Sequence, residues 1–208
     1  MTAPPPTIFL VDDDPSVLKS LSRLLRSARL EPVAFSSPRE FLDRYDPHTP
    51  GCLVLDVSMP GLDGLQLQQA LQAKGSEIPI IFLTGHGDIP MSVRAMKRGA
   101  IDFLTKPVND KDLLKAIRIA IEADRVGRQA RAELAGIRQR LATLTPRERE
   151  VLEHVITGQL NKQIAGDLGT AEKTIKVHRA RVMEKMQVQS VAELVRIAEK
   201  AGVGSGKK

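Results

Sequence analysis

The sequence predicts two structural classes in one chain of 208 residues, an α/β domain with a parallel sheet and then a small all-helical domain. Over residues 1–121, short apolar runs alternate with amphipathic helical patterns, which is typical of parallel strands covered by helices on both faces. From residue 144 onward the apolar residues keep the helical period, and no further strand pattern occurs. The net charge of +6 also belongs to the second part, because residues 1–121 hold 14 basic and 14 acidic side chains and residues 122–208 hold 17 and 11. A basic second part suggests an acidic polymer as its partner.

Five apolar runs are predicted as strands, and the amphipathic segments between them as helices. The predicted strands are Thr7–Asp12, Pro32–Phe35, Gly51–Asp56, Ile78–Thr84 and Ala100–Leu104. The predicted helices are Ser16–Ser27, Pro38–Tyr45, Leu65–Lys74 and Pro90–Arg98, and a fifth begins near Asp110. Five such units are too few for an eight-stranded barrel. They favour a flavodoxin-like, five-stranded parallel sheet with the strand order 2-1-3-4-5.

A long helical linker, residues 122–143, is predicted to join a domain of residues 1–121 to a domain of residues 144–208. The helical pattern continues from Asp110 to about Leu144 without a proline. Leucine and isoleucine recur along it at steps of three and four, at Leu134, Ile137, Leu141 and Leu144. Two interpretations stay open, an amphipathic connector that lies on its own domains and a helix that forms dimers.

Four short helices are predicted in the all-α second domain. They run from Pro146 to about Gly158, over Asn161–Leu168, from a Thr170 cap to about Met186, and onward from Ser190. Three helix starts in the chain carry capping boxes, in which Ser or Thr precedes Glu by three positions: Ser37 with Glu40, Thr145 with Glu148, and Ser190 with Glu193. The short second helix, a turn containing Gly169 and the third helix form a helix-turn-helix candidate.

The third of these helices has two different faces. Ile175, Val182 and Met186 share the face that is expected to pack on the other helices. The opposite face carries Lys173, Lys176, Val177 and Ala180. A basic face of small residues suits the major groove of DNA, where base edges are accessible and phosphates attract lysines. Taken alone, such a helix would more simply be a solvated amphipathic helix, so the interpretation depends on its neighbours.

Composition limits where the protein works. No apolar stretch is long enough for a membrane span, which argues against an integral membrane protein and a membrane partner. The first residues lack a basic segment followed by an apolar one, so we expect no secretion. Cys52 is the single cysteine and falls in a predicted buried strand, so it is expected to be an inert core thiol. Together these features predict a cytoplasmic protein.

Carboxylates follow two of the predicted strands. Asp12, Asp13 and Asp14 end the first strand, and Asp56 ends the third. The carboxyl ends of neighbouring parallel strands meet at one edge of the sheet, where open α/β sheets bind ligands. Carboxylates that meet at one edge of the sheet repel one another unless a cation lies among them. The sequence therefore predicts a site for a hard divalent cation, Mg²⁺ or Mn²⁺, which takes oxygen ligands.

Two further polar residues end strands at the same edge, Thr84 after the fourth strand and Lys106 after the fifth. An aspartate can act as a nucleophile towards phosphorus and form an aspartyl phosphate. Lys106 would then pair with one phosphoryl oxygen and the Thr84 hydroxyl with another, while the metal neutralises charge. Each residue alone is a weak signal, and their placement at the ends of the predicted strands makes the signal strong.

Residues 1–121 resemble the receiver domain of two-component response regulators. Its paired acids match Asp12 and Asp13, its phosphoacceptor matches Asp56 in Leu55-Asp56-Val57-Ser58-Met59-Pro60-Gly61, its hydroxyl residue matches Thr84, and its lysine before a cis proline matches Lys106. The resemblance implies that a sensor histidine kinase phosphorylates Asp56 and that the protein is no enzyme beyond this self-catalysed transfer. It adds the backbone carbonyl of Ser58 to the metal ligands Asp12, Asp13 and Asp56. Asp14 is expected to stay outside the ligand set.

The resemblance also implies a switch and a dimer face. Thr84 would move towards the phosphoryl group and vacate space for the aromatic three residues before the lysine, Phe103, unless Phe103 is a fixed core side chain. The receiver dimer face comprises the fifth strand and the helix before it, where Lys97 and Asp102 could pair between copies. The family tunes the lifetime of the phosphoryl group two residues beyond the acceptor and two beyond the hydroxyl residue, here Ser58 and His86.

Residues 141–201 resemble the LuxR-type helix-turn-helix. The resemblance is carried by Leu144–Leu152, Asn161-Lys162-Gln163-Ile164-Ala165 and Thr174-Ile175-Lys176-Val177-His178. It implies base contacts from Lys176 and Val177 and phosphate contacts from Lys162, Thr174 and Arg179 or Arg181, with Lys173 on the same basic face. Together the two resemblances indicate the NarL/FixJ family and its FixJ-like branch, on Thr84-Gly85-His86-Gly87-Asp88-Ile89-Pro90. They imply a homodimer on phosphorylation that binds double-stranded promoter DNA, with RNA polymerase as a further partner.

Two other functions use the same residues. A metal-dependent phosphatase or phosphotransferase could employ the same carboxylates, although no P-loop or second acid–base pair supports it. A DNA-binding dimer whose receiver no longer needs phosphate is the other alternative. The complete set of five pocket residues favours a phosphorylation-activated transcription factor over both.

Overall fold

A computed structural model describes residues 5–85 and 89–204 of the chain. It divides into two compact units, residues 1–128 and 129–208. The strands are β1 (Thr7–Val11), β2 (Glu31–Phe35), β3 (Gly51–Asp56), β4 (Ile80–Thr84) and β5 (Asp102–Thr105). The helices of the first unit are α1 (Pro15–Ser27), α2 (Pro38–Arg44), α3 (Gly64–Ala73), α4 (Ile89–Lys97) and the start of α5 (Asp110–Ala142). The helices that follow are α6 (Pro146–Ile156), α7 (Asn161–Asp167), α8 (Glu172–Met186) and α9 (Val191–Lys200).

All five strands are parallel, and their order is β2-β1-β3-β4-β5, as the sequence predicts. Three strand starts differ from the predictions. β2 begins at Glu31, one residue before the predicted Pro32. β4 begins at Ile80 because Pro79 has no N–H to contribute to the sheet. β5 covers Asp102–Thr105 instead of Ala100–Leu104, because the Ala100 N–H closes the end of α4 by bonding to the Ala95 carbonyl at 3.2 Å. Pairing with β4 starts only at the next N–H.

Alternate residues of the strands point into two separate cores. Phe9 and Val11 of β1 face a core shared with α2, α3 and α4, whereas Ile8 and Leu10 face a core shared with α1 and α5. Both faces of the sheet are therefore covered, which explains why its central strands are continuous apolar runs. Cys52 is fully buried, and burial raises the pKa of its thiol to about 12. The prediction of an inert core thiol is consistent with both observations.

The second unit packs α6, α7, α8 and α9 around a core that also receives the last turns of α5. Ile137, Leu141 and Leu144 are buried in this core beside Val151 and Val182. Three of the four residues of the predicted heptad-like stripe are therefore buried in the core of the second unit and are not available for a dimer contact. This favours the connector interpretation over a dimer-forming seam for that part of the helix.

The helix starts follow the predicted capping residues with one exception. Thr145 and Glu148 form a complete capping box at α6. Ser37 and Ser190 cap α2 and α9, although Glu40 and Glu193 accept from the preceding residues, Ser36 and Gln189. The predicted Thr170 cap of α8 is wrong, because Ala171 holds that position without a side-chain hydrogen bond. The Thr170 N–H is used to close the turn after α7, with the Ala165 carbonyl at 2.9 Å.

In the two stretches that the structure describes, we find no helix with the length and apolarity that crossing a membrane requires.

Candidate phosphoacceptor site and DNA interface

The register of the sheet brings the predicted pocket residues to one edge. Val11 pairs with Leu55, so Asp12 and Asp56 follow paired positions of β1 and β3. Asp56 pairs with Leu83, which places Thr84 one residue beyond the same level. Thr84 pairs with Thr105, and Lys106 follows. The convergence is thus a consequence of where four neighbouring strands end.

Three carboxylates form an acidic cluster at this edge. One oxygen each of Asp12, Asp13 and Asp56 lies within 4.8 Å of the others. Asp12 and Asp56 are 2% and 5% exposed, whereas Asp13 is exposed to solvent. The Asp14 carboxylate accepts a hydrogen bond from the Ser16 N–H at 2.7 Å and so caps α1. Helix capping accounts for Asp14, which the sequence places outside the ligand set.

Lys106 lies against this cluster. Its Nζ is 2.5 Å from Asp12 Oδ2 and 3.1 Å from Asp56 Oδ1. The Lys106 N–H donates to the Thr84 carbonyl at 2.7 Å, and the Lys106–Pro107 peptide bond is cis. The lysine is therefore held on both its backbone and its side chain, with its ammonium among the carboxylates.

The positive charge of one lysine does not neutralise the negative charge of the three carboxylates in the pocket. Burial raises the pKa of Asp56 above its usual 3.8, and the charge of Asp12 adds to this, against the hydrogen bond from Lys106. Burial alone would lower the pKa of Lys106, but its hydrogen bonds to Asp12 and Asp56 outweigh burial and raise it. One ammonium faces three carboxylates, and the donor atoms at hand are all oxygens. A hard divalent cation such as Mg²⁺ fits this donor set.

The start of α3 lies against the backbone of Asp56. This contact was not predicted from the sequence. The Gly64 N–H donates to the Val57 carbonyl at 3.0 Å. A Cβ atom on Gly64 would lie only 2.3 Å from the Asp56 carbonyl oxygen, so no larger residue fits. Asp63 and Gln66 form a complete capping box at this helix start. Asp followed three residues later by Gln is a detectable capping signal, and it could have moved the predicted start of the helix from Leu65 to Gly64.

The residues predicted to switch, Thr84 and Phe103, lie on the neighbouring strands β4 and β5, two positions apart in register. Thr84 is fully buried at the end of β4. Phe103 is partly buried on β5, with its ring centroid 6.1 Å from that of Phe82. Ser58 is exposed just beyond β3. His86, the other position expected to tune phosphoryl lifetime, lies outside the described residues.

The two residues of the expected dimer face have different surroundings. Lys97 is the last residue of α4 and is exposed. Asp102 begins β5 and is partly buried, with its carboxylate accepting from the Phe103 N–H at 2.8 Å. Val93 and Met96 of α4 are also exposed, by 44% and 45%.

The helix-turn-helix consists of α7 and α8. Ile175, Val182 and Met186 of α8 are completely buried, as predicted. The predicted DNA-contacting residues that are exposed are Lys162, Lys173, Thr174, Lys176, Val177 and Arg181. α8 therefore presents a basic face with the 45% exposed Val177 within it.

Two of the predicted DNA contacts have partners inside the unit. Lys176 Nζ is 3.1 Å from Glu172 Oε1, and both side chains are exposed, so this pair is weak and leaves the lysine available. Arg179 is partly buried and donates from Nη1 to Asn161 Oδ1 at 2.9 Å. Arg179 thus joins α8 to the first residue of α7. This contact could not be inferred from the sequence pattern.

Contacts from α6 fix the other ends of the motif. Arg147 Nη2 donates to the carbonyl of Leu168 at the end of α7, at 2.6 Å. Lys185 of α8 donates to Glu148 Oε2 at 2.6 Å and to the Thr143 carbonyl at 3.0 Å. The angle between α7 and α8 is therefore supported by charged hydrogen bonds as well as by the apolar core.

Two protein families match successive parts of the chain. Residues 8–118 match the response regulator receiver domain. Residues 142–198 match the bacterial regulatory proteins of the luxR family. Both matches agree with the resemblances drawn from the sequence motifs.

Relatives match nearly the whole chain. Nodulation protein W of Bradyrhizobium diazoefficiens is 50% identical over 198 residues, which are 95% of this chain and 87% of that protein. Transcriptional regulatory protein FixJ of the same species is 44% identical over 196 residues, 94% of this chain and 96% of FixJ. Among solved structures, response regulator StyR is 50% identical with a TM-score of 0.86, covering 95% of this chain and 100% of StyR. Full-length FixJ from B. japonicum has 44% identity and a TM-score of 0.58, covering 95% and 97%.

The sheet order, the acidic pocket and these matches define the class: the chain belongs to the response regulators, which are regulators rather than classical enzymes. Its receiver domain is followed by a LuxR-type DNA-binding domain, which makes it a phosphorylation-dependent transcriptional regulator of the NarL/FixJ family, related to FixJ.

Proposed function

We propose that Asp56 is the phosphoacceptor of this response regulator and that a sensor histidine kinase is its donor. The observation that carries the proposal is the convergence of Asp12, Asp13 and Asp56 with Lys106 at one edge of the sheet. Asp56 is the last residue of the central strand β3, and Lys106 lies beside it. A phosphoryl group on its carboxylate would lie within reach of the lysine.

The transfer follows from the positions of these residues. A carboxylate oxygen of Asp56 attacks the phosphorus of a phosphohistidine, the P–N bond breaks, and the departing histidine keeps the electron pair. Lys106 pairs with one phosphoryl oxygen, and the Thr84 hydroxyl donates to another. A bound Mg²⁺ or Mn²⁺ would be held by Asp12, Asp13, Asp56 and the Ser58 carbonyl, and it supplies charge neutralisation for the transferred group. The domain catalyses its own modification in this scheme.

The switch is proposed to start at Thr84. Phosphorylation adds close to two negative charges and three acceptor oxygens at Asp56. Thr84 moves towards them, and Phe103, which already contacts the core beside Phe82, turns into the space that Thr84 leaves. The change alters the face formed by α4 and β5, where Lys97 pairs with Asp102 of a second copy. The product is a homodimer.

The DNA-binding half reads promoter DNA through α8. Lys176 and Val177 are proposed to contact base edges, because both are exposed on one face of that helix. The proposed phosphate contacts come from the exposed residues around them and from the remaining donors of Arg179: Lys162, Lys173, Thr174, Arg179 and Arg181. A dimer would read two half-sites about 34 Å apart. Bound at a promoter in the cytoplasm, it would contact RNA polymerase.

Labelling with ³²P-acetyl phosphate and Mg²⁺ tests the acceptor. We expect stable label on the wild-type chain and none on Asp56→Asn. Asp14→Asn is the matched control, because Asp14 is an aspartate of the same acidic run that only caps α1, and it should be labelled normally. Label on Asp56→Asn would contradict the assignment. Rapid turnover of acetyl phosphate without retained label would instead favour a phosphatase. Absence of label from every variant, the wild-type chain included, would favour a receiver that does not use phosphate.

A further inference from the structure

Glutamine side chains of α3 are directed at the end of α4. Gln72 Nε2 donates to the Arg98 carbonyl at 2.7 Å, and Gln68 Nε2 lies 3.3 Å from the same oxygen. Gln68 Nε2 is also 3.5 Å from the Ala95 carbonyl. The last carbonyls of a helix lack partners within the helix, so external donors fix its end. Here two amides of the neighbouring helix supply these donors.

Gln68 is buried at some cost. The residue is only 1% exposed, and its Oε1 has no hydrogen-bond partner among residues 5–85 and 89–204. A buried amide with an unpaired oxygen destabilises a folded protein unless its other contacts compensate. Both hydrogen bonds from its Nε2 are long. A polar side chain held in this way indicates a contact kept for its position rather than for the stability it provides.

The other end of α3 lies on the phosphoacceptor. Gly64, the first residue of α3, has no space for a Cβ atom against the Asp56 carbonyl oxygen, and its N–H bonds to the Val57 carbonyl. The start of α3 is therefore packed without free space on the backbone of Asp56 and Val57. α3 is 10 residues long, and Gln68 and Gln72 lie one and two helical turns after Gly64. One rigid helix thus contacts both the acceptor and the end of α4.

We propose that Gln68 and Gln72 are positioning residues that hold the C-terminal end of α4 on α3, so that α4 turns about this end when Asp56 is phosphorylated. The inference rests on the proposed role of Asp56. Only four residues separate Thr84 from the first residue of α4, Ile89. In this proposal that end of α4 moves when Thr84 moves. The amide contacts make the Arg98 end the fixed point, and they convert a change at the acceptor into a defined rotation of the α4 surface.

The test uses the full-length chain and the double variant Gln68→Leu/Gln72→Leu. Gln69→Leu is the matched control on the same helix. The Gln69 side-chain oxygen, with its amide turned to face Arg98, accepts from the Arg98 guanidinium at 2.9 and 2.7 Å, so this residue contacts the Arg98 side chain and not the Arg98 carbonyl. Hydrogen exchange of peptides covering residues 95–100 is measured with and without acetyl phosphate and Mg²⁺. The same samples give the ³²P label on Asp56 and the ratio of DNA affinities with and without phosphorylation.

In the wild-type chain and in the control, we expect residues 95–100 to exchange equally slowly in both states. In the double variant we expect exchange there to be about tenfold faster, and the phosphorylation-dependent gain in DNA affinity to fall about fivefold while the label on Asp56 is unchanged. Unchanged exchange, or an unchanged gain in affinity at normal label, would overturn the proposal without touching the role of Asp56. Missing label in the wild-type chain would overturn that role instead.

Two further variants keep the test decisive if the double variant does not fold. Gln72→Leu alone changes an exposed side chain and should still speed exchange at residues 95–100 severalfold. Gln72→Lys restores a donor to the Arg98 carbonyl and should return the exchange towards the wild-type rate. Equal exchange in both variants would contradict the proposed contact.

Discussion

Lys185 and Glu148 join α8 to the start of α6. Lys185 Nζ donates to Glu148 Oε2 at 2.6 Å, and the same carboxylate oxygen accepts from the Thr145 N–H at 2.9 Å. Glu148 is 2% exposed. One carboxylate therefore caps α6 and also positions α8, whose other face is proposed to contact DNA.

We expect Glu148→Gln to destabilise the helical unit by about 1–2 kcal/mol. The amide can still accept the capping hydrogen bond, but it loses the charged contact to a lysine that remains partly solvated. Amide exchange of Val151 and Val155, both fully buried in this unit, measures the free energy of opening. Glu150→Gln is the control, because the Arg147–Glu150 pair is exposed and should matter by less than about 1 kcal/mol. Equal effects of the two substitutions would refute the special role of Glu148.

The same carboxylate makes the stability of this unit depend on pH. The hydrogen bond from Lys185, with that from the Thr145 N–H, lowers the pKa of Glu148 below its usual 4.5. Above 4.5 its contribution is fully present, and it is lost as the pH falls through the lowered pKa of the folded state. The stability difference between the wild-type chain and Glu148→Gln should therefore be constant well above pH 4.5 and shrink as the pH falls below 4.5. A difference that stays constant as the pH falls below 4.5 would show that folding does not lower the pKa of this carboxylate.

Gly64→Ala is expected to damage the receiver. The added methyl group would meet the Asp56 carbonyl oxygen, so the start of α3 and the backbone at Asp56 must shift, at a cost of about 1–3 kcal/mol. Thermal unfolding followed by circular dichroism gives the stability, and the rate of labelling by acetyl phosphate gives the effect on Asp56. Gly136→Ala provides the control, because nothing lies within 4 Å of its Cβ position in α5, and it should be neutral or stabilising. A normal labelling rate in Gly64→Ala would show that the backbone at Asp56 tolerates the shift.

Two lysine substitutions separate phosphate contacts from base contacts. Lys162→Ala should weaken binding to all sequences and lower the dependence of log affinity on log salt by about 0.9. Lys176→Ala should relax the base preference, with about 1–3 kcal/mol less discrimination at one position. Binding titrations at several salt concentrations, with a preferred and a scrambled DNA, provide both quantities. If both substitutions weaken all sequences equally, the assignment of α8 to the major groove is wrong.

The sequence predicted most of the sheet and its pocket because those features depend on local patterns. Apolar runs end where the strands end, so Asp12, Asp56 and Thr84 could be placed at one edge from the sequence alone. The start of β5 was misplaced because the closing hydrogen bond of α4 consumes the Ala100 N–H, which no periodicity shows. The predicted Thr170 cap was wrong because Thr170 closes the turn after α7, and Ala171 takes the N-cap position of α8.

Contacts between distant residues were out of reach of pattern reasoning. Glu148 and Lys185 are 37 positions apart on different helices, so only the packed structure brings them together. Gly64 could be recognised as a helix start from its neighbours, but its close approach to Asp56 depends on how α3 packs. The buried stripe of α5 was ambiguous for the same reason, because its partners Val151 and Val182 lie on other helices.

The affinity for DNA with and without phosphorylation, compared between the wild-type chain and Asp56→Asn, tests the central claim most directly. Fluorescence anisotropy with a binding site selected from random DNA, at one fixed salt concentration, provides the four dissociation constants. With acetyl phosphate and Mg²⁺ we predict a gain of about tenfold for the wild-type chain and none for Asp56→Asn. A gain of equal size in Asp56→Asn, or no gain in a fully labelled wild-type chain, would contradict the account.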